Sequence, residues 1–214
     1  KRGVQVMKAR KPSDPTSWFY QGAIHAVSDE AIAEARLIDP AVDSVDKARF
    51  WNRCPHFGAH SADFPIWHRA YIYHFERILR QASGDPTLSL PYWNYTDSTQ
   101  RTFPRMFANQ FDDPAQTVVN PLYDARRELS FMLGLYQLSD RAVSPDDAFN
   151  ETVFFGSDER SGFAGGVWDS DPNTQGRIES RPHNMMHLAI GGVIDQTAGS
   201  MSDVPTAAFD PVFW

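Results

Sequence analysis

Two histidines near the end of the chain have the spacing of paired metal ligands. His183 and His187 are four residues apart in a segment that begins at Pro182 and ends at Gly191-Gly192. Proline suits the first turn of a helix and glycine its left-handed end, so this segment predicts a short helix. The side chains of residues four apart project from the same helix face, with Cβ atoms about 5–6 Å apart, so both imidazoles could reach one ion. For this motif alone, two unrelated histidines are the alternative.

Two further histidines lie on apolar faces of other predicted helices. His68 belongs to a helix over residues 66–81, and His25 to a helix over residues 13–36 that Asp14-Pro15 would begin. A single histidine on such a face is more often a core residue than a ligand. Several neutral imidazoles in one interior, however, are expensive to bury unless an ion coordinates them. The four histidines together therefore predict a metal site.

The types of donor indicate which metal this site would hold. Imidazoles without carboxylate or thiolate ligands suit copper, nickel or zinc, and suit magnesium or calcium least. A structural zinc site would more often combine cysteine with histidine, and Cys54 is the one cysteine of the chain. Copper is therefore favoured. A zinc hydrolase is the alternative, which the lack of a completed zinc pattern disfavours.

Composition excludes several classes of function. The 214 residues suit one domain, and a single cysteine excludes a disulfide within the chain. A net charge of −7 argues against a nucleic acid as main partner. No apolar run approaches the ~20 residues that cross a bilayer, so no membrane is expected as a partner. No secretory signal follows Lys1, and a signal removed before that residue would make the protein a secreted one.

The elements that would position the histidines are predicted to be mainly α-helical, with long irregular loops. Gly84-Asp85-Pro86 ends the helix of His68, and weaker helical patterns cover residues 122–133 and 144–154. Residues 156–180 are rich in Gly, Ser and Asp and predict a surface loop. No series of alternating strands is evident. In the long helix, His68, Ile72, Phe75 and Leu79 recur at helical spacing and are expected to share one face.

Six blocks of the sequence, in order from about Ser17 to the last residue, resemble the tyrosinase and catechol oxidase (polyphenol oxidase) family of type 3 dicopper proteins. The blocks are Asn52-Arg53-Cys54-Pro55-His56, Phe64-Pro65-Ile66-Trp67-His68-Arg69-Ala70-Tyr71 with Phe75-Glu76, Leu90-Pro91-Tyr92-Trp93-Asn94-Tyr95, Glu179 with Pro182-His183-Asn184-x-x-His187, Gly191-Gly192, and Asp210-Pro211-x-Phe213-Trp214. Their agreement in order is more specific than any one motif.

The resemblance implies a four-helix bundle that holds a dicopper centre, each copper being bound by three histidines. By position, copper A would take His25 and His68 together with a third histidine between them. Copper B would take His183 and His187. O2 would be the co-substrate and a small phenolic compound the substrate.

Two residues, His56 and His60, are candidates for the middle ligand of copper A. The family places this ligand nine residues before the histidine that corresponds to His68, and Ala59 stands there. We favour His56, because Cys54-Pro55-His56 repeats the pattern in which family members form a thioether between the cysteine sulfur and the ring. The thioether would fix the ring in place, although this alignment needs a three-residue insertion.

The family pattern continues beyond the last residue of the chain. A histidine that completes copper B normally follows the Asp-Pro-x-Phe-Trp block, which here ends at Trp214. We therefore expect residues 1–214 to be a single tyrosinase-like copper domain, truncated before the third copper B histidine and the closing helix. A C-terminal segment of the same protein would be the partner that supplies this histidine.

The activity that the resemblance implies is oxidation of o-diphenols to o-quinones by O2, with o-hydroxylation of monophenols as an extension. In the family, a glutamate and an asparagine hold the water that takes the phenol proton, and Glu179 and Asn184 occupy these positions. Capping of the following helix is the alternative role of Glu179. An oxygen carrier without turnover is the alternative function, and it would need a domain that occludes the site.

Several neighbouring residues are expected to be structural. Arg69, Tyr71 and Glu76 would hold the helix of His68 in place. Asp210 would close a turn or pair with a basic side chain. His74 falls off the face of His68, so it is left out of the predicted site.

Overall fold

The fold is known from a computed structural model, which describes residues 1–55, 63–157, 161–166 and 175–214. In these ranges the prediction of a mainly α-helical chain with long irregular loops is confirmed. The helices are α1 (Arg2–Ala9), α2 (Trp18–His25), α3 (Asp29–Ile38), α4 (Ser44–Arg49), α5 (Phe64–Ser83), α6 (Arg105–Ala108), α7 (Leu129–Met132), α8 (Asp140–Val143), α9 (Asp146–Phe149), α10 (Met185–Gly191) and α11 (Val204–Ala207). The strands β1 (Val193–Ile194) and β2 (Thr197–Ala198) form a small antiparallel hairpin.

Helix α5 is the long helix of the fold, and its ends follow the sequence signals. Pro65 lies in the first turn, and Gly84 ends the helix in the left-handed conformation with φ of 73°. The buried side includes Phe75 and Leu79, as predicted. Ile72 lines one cavity together with His68, Phe75 and Leu79, so the four residues share one face as predicted, although Ile72 is 37% exposed. Tyr71 is buried as well.

Helix α1 packs across α5, although its basic sequence gave no helix prediction. Val4 and Met7 are buried in one cluster with Leu79 of α5. Gly3 permits the close approach of the two helices, since a Cβ there would lie 2.8 Å from Leu79 Cδ1 and 2.9 Å from its carbonyl oxygen. The charged side chains remain on the outer face.

The predicted helix over residues 13–36 is wrong in its continuity, because the chain breaks between α2 and α3. Ser17 caps α2 by accepting a hydrogen bond from Tyr20 N at 3.0 Å. Ser28 caps α3 in the same way, and Asp29 and Glu30 follow in its first turn. These residues form a second helix start, which ends the first helix at His25.

The segment that carries His183 and His187 is kinked. Arg181 is extended, with φ of −153° and ψ of 131°, inside the wide turn Glu179–Asn184. Helix α10 then continues to Gly191, and Gly192 ends it with φ of 61°, as the glycine pair predicted. The predicted helix therefore exists, but its first turn is irregular.

The two weaker helix predictions hold only in part. The pattern over residues 122–133 gives the single turn α7, and that over 144–154 gives the single turn α9. Residues 161–166 and 175–178 of the predicted loop lack strands of their own apart from the isolated bridge between Gly165 and Gln175. None of the helices in the described parts of the chain has the length and apolar character that crossing a bilayer requires.

A buried ion pair joins the end of the chain to the middle of the sequence. Arg127 Nε and Nη2 donate to the two carboxylate oxygens of Asp210 at 2.8 and 2.6 Å. Arg127 also donates to the carbonyl oxygens of Phe107 and Leu122 at 2.6 and 2.8 Å. Asp210 in turn caps the final turn by accepting from Val212 N. Both roles expected for Asp210 are therefore present.

Candidate metal centre

Three separate elements bring four histidines together. His25 is the last residue of α2, His68 lies in α5, and His183 and His187 come from the kinked segment and α10. The ring centroids of His25 and His68 are 5.7 Å apart, those of His68 and His183 are 6.1 Å apart, and those of His183 and His187 are 4.5 Å apart. The four imidazoles thus form a continuous row.

Hydrogen bonds at Nδ1 orient three of these rings. Each Nδ1 lies within hydrogen-bonding distance of a carbonyl or amide oxygen: His68 with Phe64 O at 2.8 Å, His187 with Met201 O at 2.6 Å, and His183 with Asn184 Oδ1 at 2.9 Å. Oxygen acceptors at these positions favour the tautomer that carries its proton on Nδ1. The lone pair is then on Nε2, which is how metal-binding histidines are commonly held.

The Nε2 atoms of His183 and His187 are 3.1 Å apart. Two nitrogens that share one ion at bonds of about 2.0 Å and a tetrahedral angle would be separated by about 3.3 Å. The observed separation therefore fits two ligands of one ion. The i, i+4 spacing seen in the sequence produces this geometry despite the kink before His183.

A second group of donors lies at the other end of the row. Donor atoms of His25, Cys54 and His68 all lie within 4.8 Å of one another, and Cys54 Sγ is 3.4 Å from His68 Nε2. His25 is buried, with 1% of its surface exposed. The candidates for the middle ligand, His56 and His60, lie outside the described residues, and so does the predicted thioether between Cys54 and His56.

Aromatic side chains enclose the row on two sides. Phe64 lies 4.3 Å from the His68 ring and 4.7 Å from the His183 ring. Phe213 lies 4.9 Å from the His25 ring and 6.3 Å from that of His187. The sequence blocks contained both phenylalanines, but only the fold shows that they bridge the two histidine groups.

Tyr71 fixes α5 to α2 beside the histidines. Its hydroxyl donates to the carbonyl oxygen of Gln21, one turn before His25, and its ring stacks 6.3 Å from the His25 ring. Burial raises the pKa of Tyr71 well above its usual value, so the phenol stays neutral. The structural role expected for this residue agrees with these contacts. His74 is exposed and lies away from the row.

A cavity of about 630 Å³ opens against the row. His68, His183 and His187 lie on one of its walls, and most of the remaining lining is apolar or aromatic. The apolar lining includes Phe64, Ile72, Trp93, Met186, Ile190 and Phe213. A cavity of this size and character suits a small aromatic ligand with one polar end.

Comparison with known proteins decides which family has this arrangement. Residues 15–214 match the family described as the common central domain of tyrosinase. The chain belongs to the tyrosinase family. It is 34% identical over 227 residues to a tyrosinase of Hahella sp. (strain CCB-MM4), covering 100% of this chain and 46% of that protein. It is 27% identical over 233 residues to aureusidin synthase of Antirrhinum majus, covering 100% of this chain and 37% of that protein. The chain thus spans less than half the length of these two relatives.

Solved tyrosinase-family structures share the fold. The crystal structure of polyphenol oxidase from Grenache (Vitis vinifera) superposes with a TM-score of 0.65 at 22% identity, over 99% of this chain and 60% of that one. At this identity the likeness concerns the fold alone. The resemblance seen in the sequence and the helical fold class are therefore confirmed, and family membership implies a dinuclear copper centre.

Glu179 and Asn184, the predicted water-holding residues of this tyrosinase-family site, flank the kink. Glu179 is fully buried at its start. Asn184 Oδ1 lies 2.9 Å from His183 Nδ1 and accepts its hydrogen bond, and Asn184 Nδ2 donates to Gln175 Oε1 at 2.9 Å. Asn184 thus restrains the His183 ring, which agrees with the orienting role expected of a polar residue beside the paired histidines. The shared water of Glu179 and Asn184 stays a prediction.

Proposed function

We propose that the protein oxidises o-diphenols to o-quinones with O2, using two copper ions held by histidines. The observation that carries this proposal is the row of four imidazoles, in which the Nε2 atoms of His183 and His187 are 3.1 Å apart. Neutral imidazoles are suitable ligands for copper. Membership of the tyrosinase family supports the same assignment.

In this proposal His25 and His68 bind copper A together with His56 or, as its rival, His60. His183 and His187 bind copper B. The third ligand of copper B would come from a further segment of the same protein, since the Hahella relative is more than twice as long as its matched part. When bound, the copper pair supplies the two-electron exchange with O2 that protein side chains do not perform.

The protein's own contribution is to orient the donors and to keep water out. The oxygen acceptors at Nδ1 of His68 and His187 fix the direction in which each Nε2 points. Phe64 and Phe213 cover the imidazoles with apolar surface. The phenolic ring would lie in the cavity with its hydroxyl group toward the histidine wall, because the rest of the lining is mainly apolar.

Hydroxylation of a monophenol requires in addition that the phenol proton be removed. We assign this step to Glu179, with Asn184 helping to hold the water between the carboxylate and the substrate. The proton would pass from the phenol hydroxyl to the water and from the water to the Glu179 carboxylate. The complete burial of Glu179 supports this assignment. Burying a carboxylate costs free energy, so a carboxylate in this position needs a specific polar partner, which the bound water would provide.

The Glu179→Gln variant tests this step. It should keep catechol oxidation and lose phenol hydroxylation, because an amide cannot accept the proton. Glu76→Gln is the matched control: Glu76 pairs with Arg80 at 2.6 Å, away from the row, and its ratio of the two activities should equal that of wild type. An unchanged ratio in Glu179→Gln would remove Glu179 from the mechanism.

The function itself is tested with copper-loaded full-length protein and a catechol substrate, by following quinone absorbance and O2 consumption together. We expect both signals, and we expect His68→Ala to abolish them while His74→Ala, which changes an exposed histidine, keeps them. Reversible O2 binding without quinone would instead identify an oxygen carrier. Ester hydrolysis by a zinc-loaded protein without oxidase activity would identify a hydrolase.

A further inference from the structure

Gln175 belongs to a short stretch of chain that is anchored by backbone pairing just before the kinked segment. Gly165 and Gln175 form an isolated antiparallel bridge, and Ser161 Oγ donates to the carbonyl oxygen of Gln175. Two residues further on, Arg177 N donates to Gly162 O at 3.0 Å. The backbone of Gln175 is therefore joined to a neighbouring stretch of chain on both sides of its own position.

Gly176 allows these two stretches to approach each other closely. A Cβ at position 176 would lie 2.6 Å from the carbonyl carbon of Ala164 and 2.7 Å from the carbonyl oxygen of Phe163. Both are backbone atoms, which cannot move aside as the end of a flexible side chain could. Ile178 N also donates to Phe163 O at 3.2 Å. The side chain of Gln175 thus starts from a defined position.

From this position Gln175 reaches the first of the paired histidines through one intervening side chain. Gln175 Oε1 accepts a hydrogen bond from Asn184 Nδ2 at 2.9 Å, and Asn184 Oδ1 accepts one from His183 Nδ1 at 2.9 Å. Both amide side chains belong to half-buried residues. The three side chains form a series of hydrogen bonds that ends on a proposed ligand of copper B.

The direction of the Asn184 amide matters for the binding of an ion by His183. When an ion takes Nε2, the neutral ring carries its hydrogen on Nδ1, and this N–H group needs an acceptor. An amide has an acceptor oxygen at one end and a donor NH2 group at the other. The oxygen end satisfies the ring, whereas the NH2 end would place donor against donor. Because Gln175 Oε1 engages Asn184 Nδ2, it favours the first arrangement.

We propose that Gln175 is a positioning residue, which holds the Asn184 amide so that His183 presents Nε2 to copper B. Gln175 acts through Asn184 and not by contact with the ion, and no proton is gained or lost. The separation of 3.1 Å between the Nε2 atoms of His183 and His187 agrees with this orientation of the ring. The inference rests on the proposed function only for the identity of the ion.

The first test compares two substitutions of Gln175 in full-length protein. Gln175→Met keeps the approximate size of the side chain but removes its acceptor, and we expect it to weaken copper B binding by about tenfold. Gln175→Glu keeps an oxygen acceptor and should bind at least as tightly as wild type. Gln5→Met makes the first change at an exposed position of α1 and should leave the affinity unchanged. A His68→Ala background removes a ligand of copper A, so competition with a chelator reports on copper B.

A second test measures the His183 hydrogen bond itself. In Cu⁺-loaded full-length protein without oxygen, nuclear magnetic resonance follows the exchange of each imidazole N–H hydrogen with solvent. We expect slow exchange at His183 Nδ1 in wild type and in Gln175→Glu, and exchange at least several-fold faster in Gln175→Met. His68 and His187 are internal controls, because backbone carbonyl oxygens accept from their Nδ1 atoms and should hold them equally in all variants. A merely structural role of Gln175 would not single out His183.

Three results would overturn the proposal. Gln175→Met could bind copper B as tightly as wild type, or Gln175→Glu could bind it as weakly as Gln175→Met. The third is a His183 N–H hydrogen that in wild type exchanges as fast as that of the exposed His74. This last result is read without a variant, so poor folding of Gln175→Met leaves the test intact. Absence of quinone formation by wild type would refute the proposed function but would leave the affinities and exchange rates to be compared as before.

Discussion

The buried Arg127–Asp210 pair offers the sharpest test of how the fold supports the histidine row. Asp210→Asn keeps the size of the side chain and one oxygen for Val212 N, but it removes the charge that faces Arg127. Arg127 is 2% exposed and Asp210 is 0% exposed, so solvent cannot replace the lost partner. Burial raises the pKa of Asp210, against the opposing effect of the Arg127 guanidinium. Leaving one buried charge without its partner costs about 3–5 kcal/mol.

The consequence should reach the metal centre, because Asp210 begins the turn that presents Phe213 to His25. For a chain of this size, 1 kcal/mol corresponds to about 2–4 °C, so we expect the melting temperature of Asp210→Asn to fall by about 6–20 °C. Calorimetry on full-length protein measures this fall. Copper affinity, measured at a temperature where the variant is folded, should fall with it.

The matched control is Asp147→Asn, which makes the same change in an exposed pair. Asp147 is 58% exposed and lies 3.1 Å from Arg181, so its loss should cost less than about 1 kcal/mol. The double variant Arg127→Met/Asp210→Asn should be less destabilised than the sum of its single variants, because it leaves no unpaired charge. A cost below about 1 kcal/mol for Asp210→Asn would refute the reasoning.

Two glycine substitutions give further predictions. In Gly22→Ala the new Cβ would lie 2.7 Å from the ring of Phe209, so α2 or that ring must shift. We expect a loss of about 1–3 kcal/mol in the free energy of unfolding, measured with denaturant. Copper binding should weaken as well, since His25 ends the same helix. In Gly84→Ala the Cβ meets nothing within 4 Å but the residue has φ of 73°, so we expect a loss of about 1–2 kcal/mol with copper affinity unchanged. Equal copper affinities in both variants would contradict the link between α2 and the site.

The features that local sequence patterns predicted are those that depend on near neighbours along the chain. Helix α5 and its end at Gly84 follow from periodicity and a glycine stop. The spacing of His183 and His187 gives donors 3.1 Å apart because four residues make about one helical turn. The break before Ser28 was also encoded locally, and the capping serine with two acidic residues was the signal that the prediction overlooked.

The features that the sequence did not predict depend on distant partners. The burial of Tyr71 depends on Gln21 and on Trp214, which pack against it from distant parts of the chain. The partner of Asp210 is 83 residues away, and one basic side chain among twenty could not be chosen without the fold. Likewise, Cys54 was paired with its neighbour His56 in sequence, and only the fold shows His68 beside its sulfur.

The central claim is that imidazoles from separate helices hold a pair of copper ions, and metal content tests it most directly. We expect copper-loaded full-length protein to retain two copper ions per chain after dialysis, measured by mass spectrometry of the metal. His68→Ala and His183→Ala should each retain one, since each removes a ligand of a different ion. Wild type that retains no copper, or histidine variants that retain as much copper as wild type, would contradict the account.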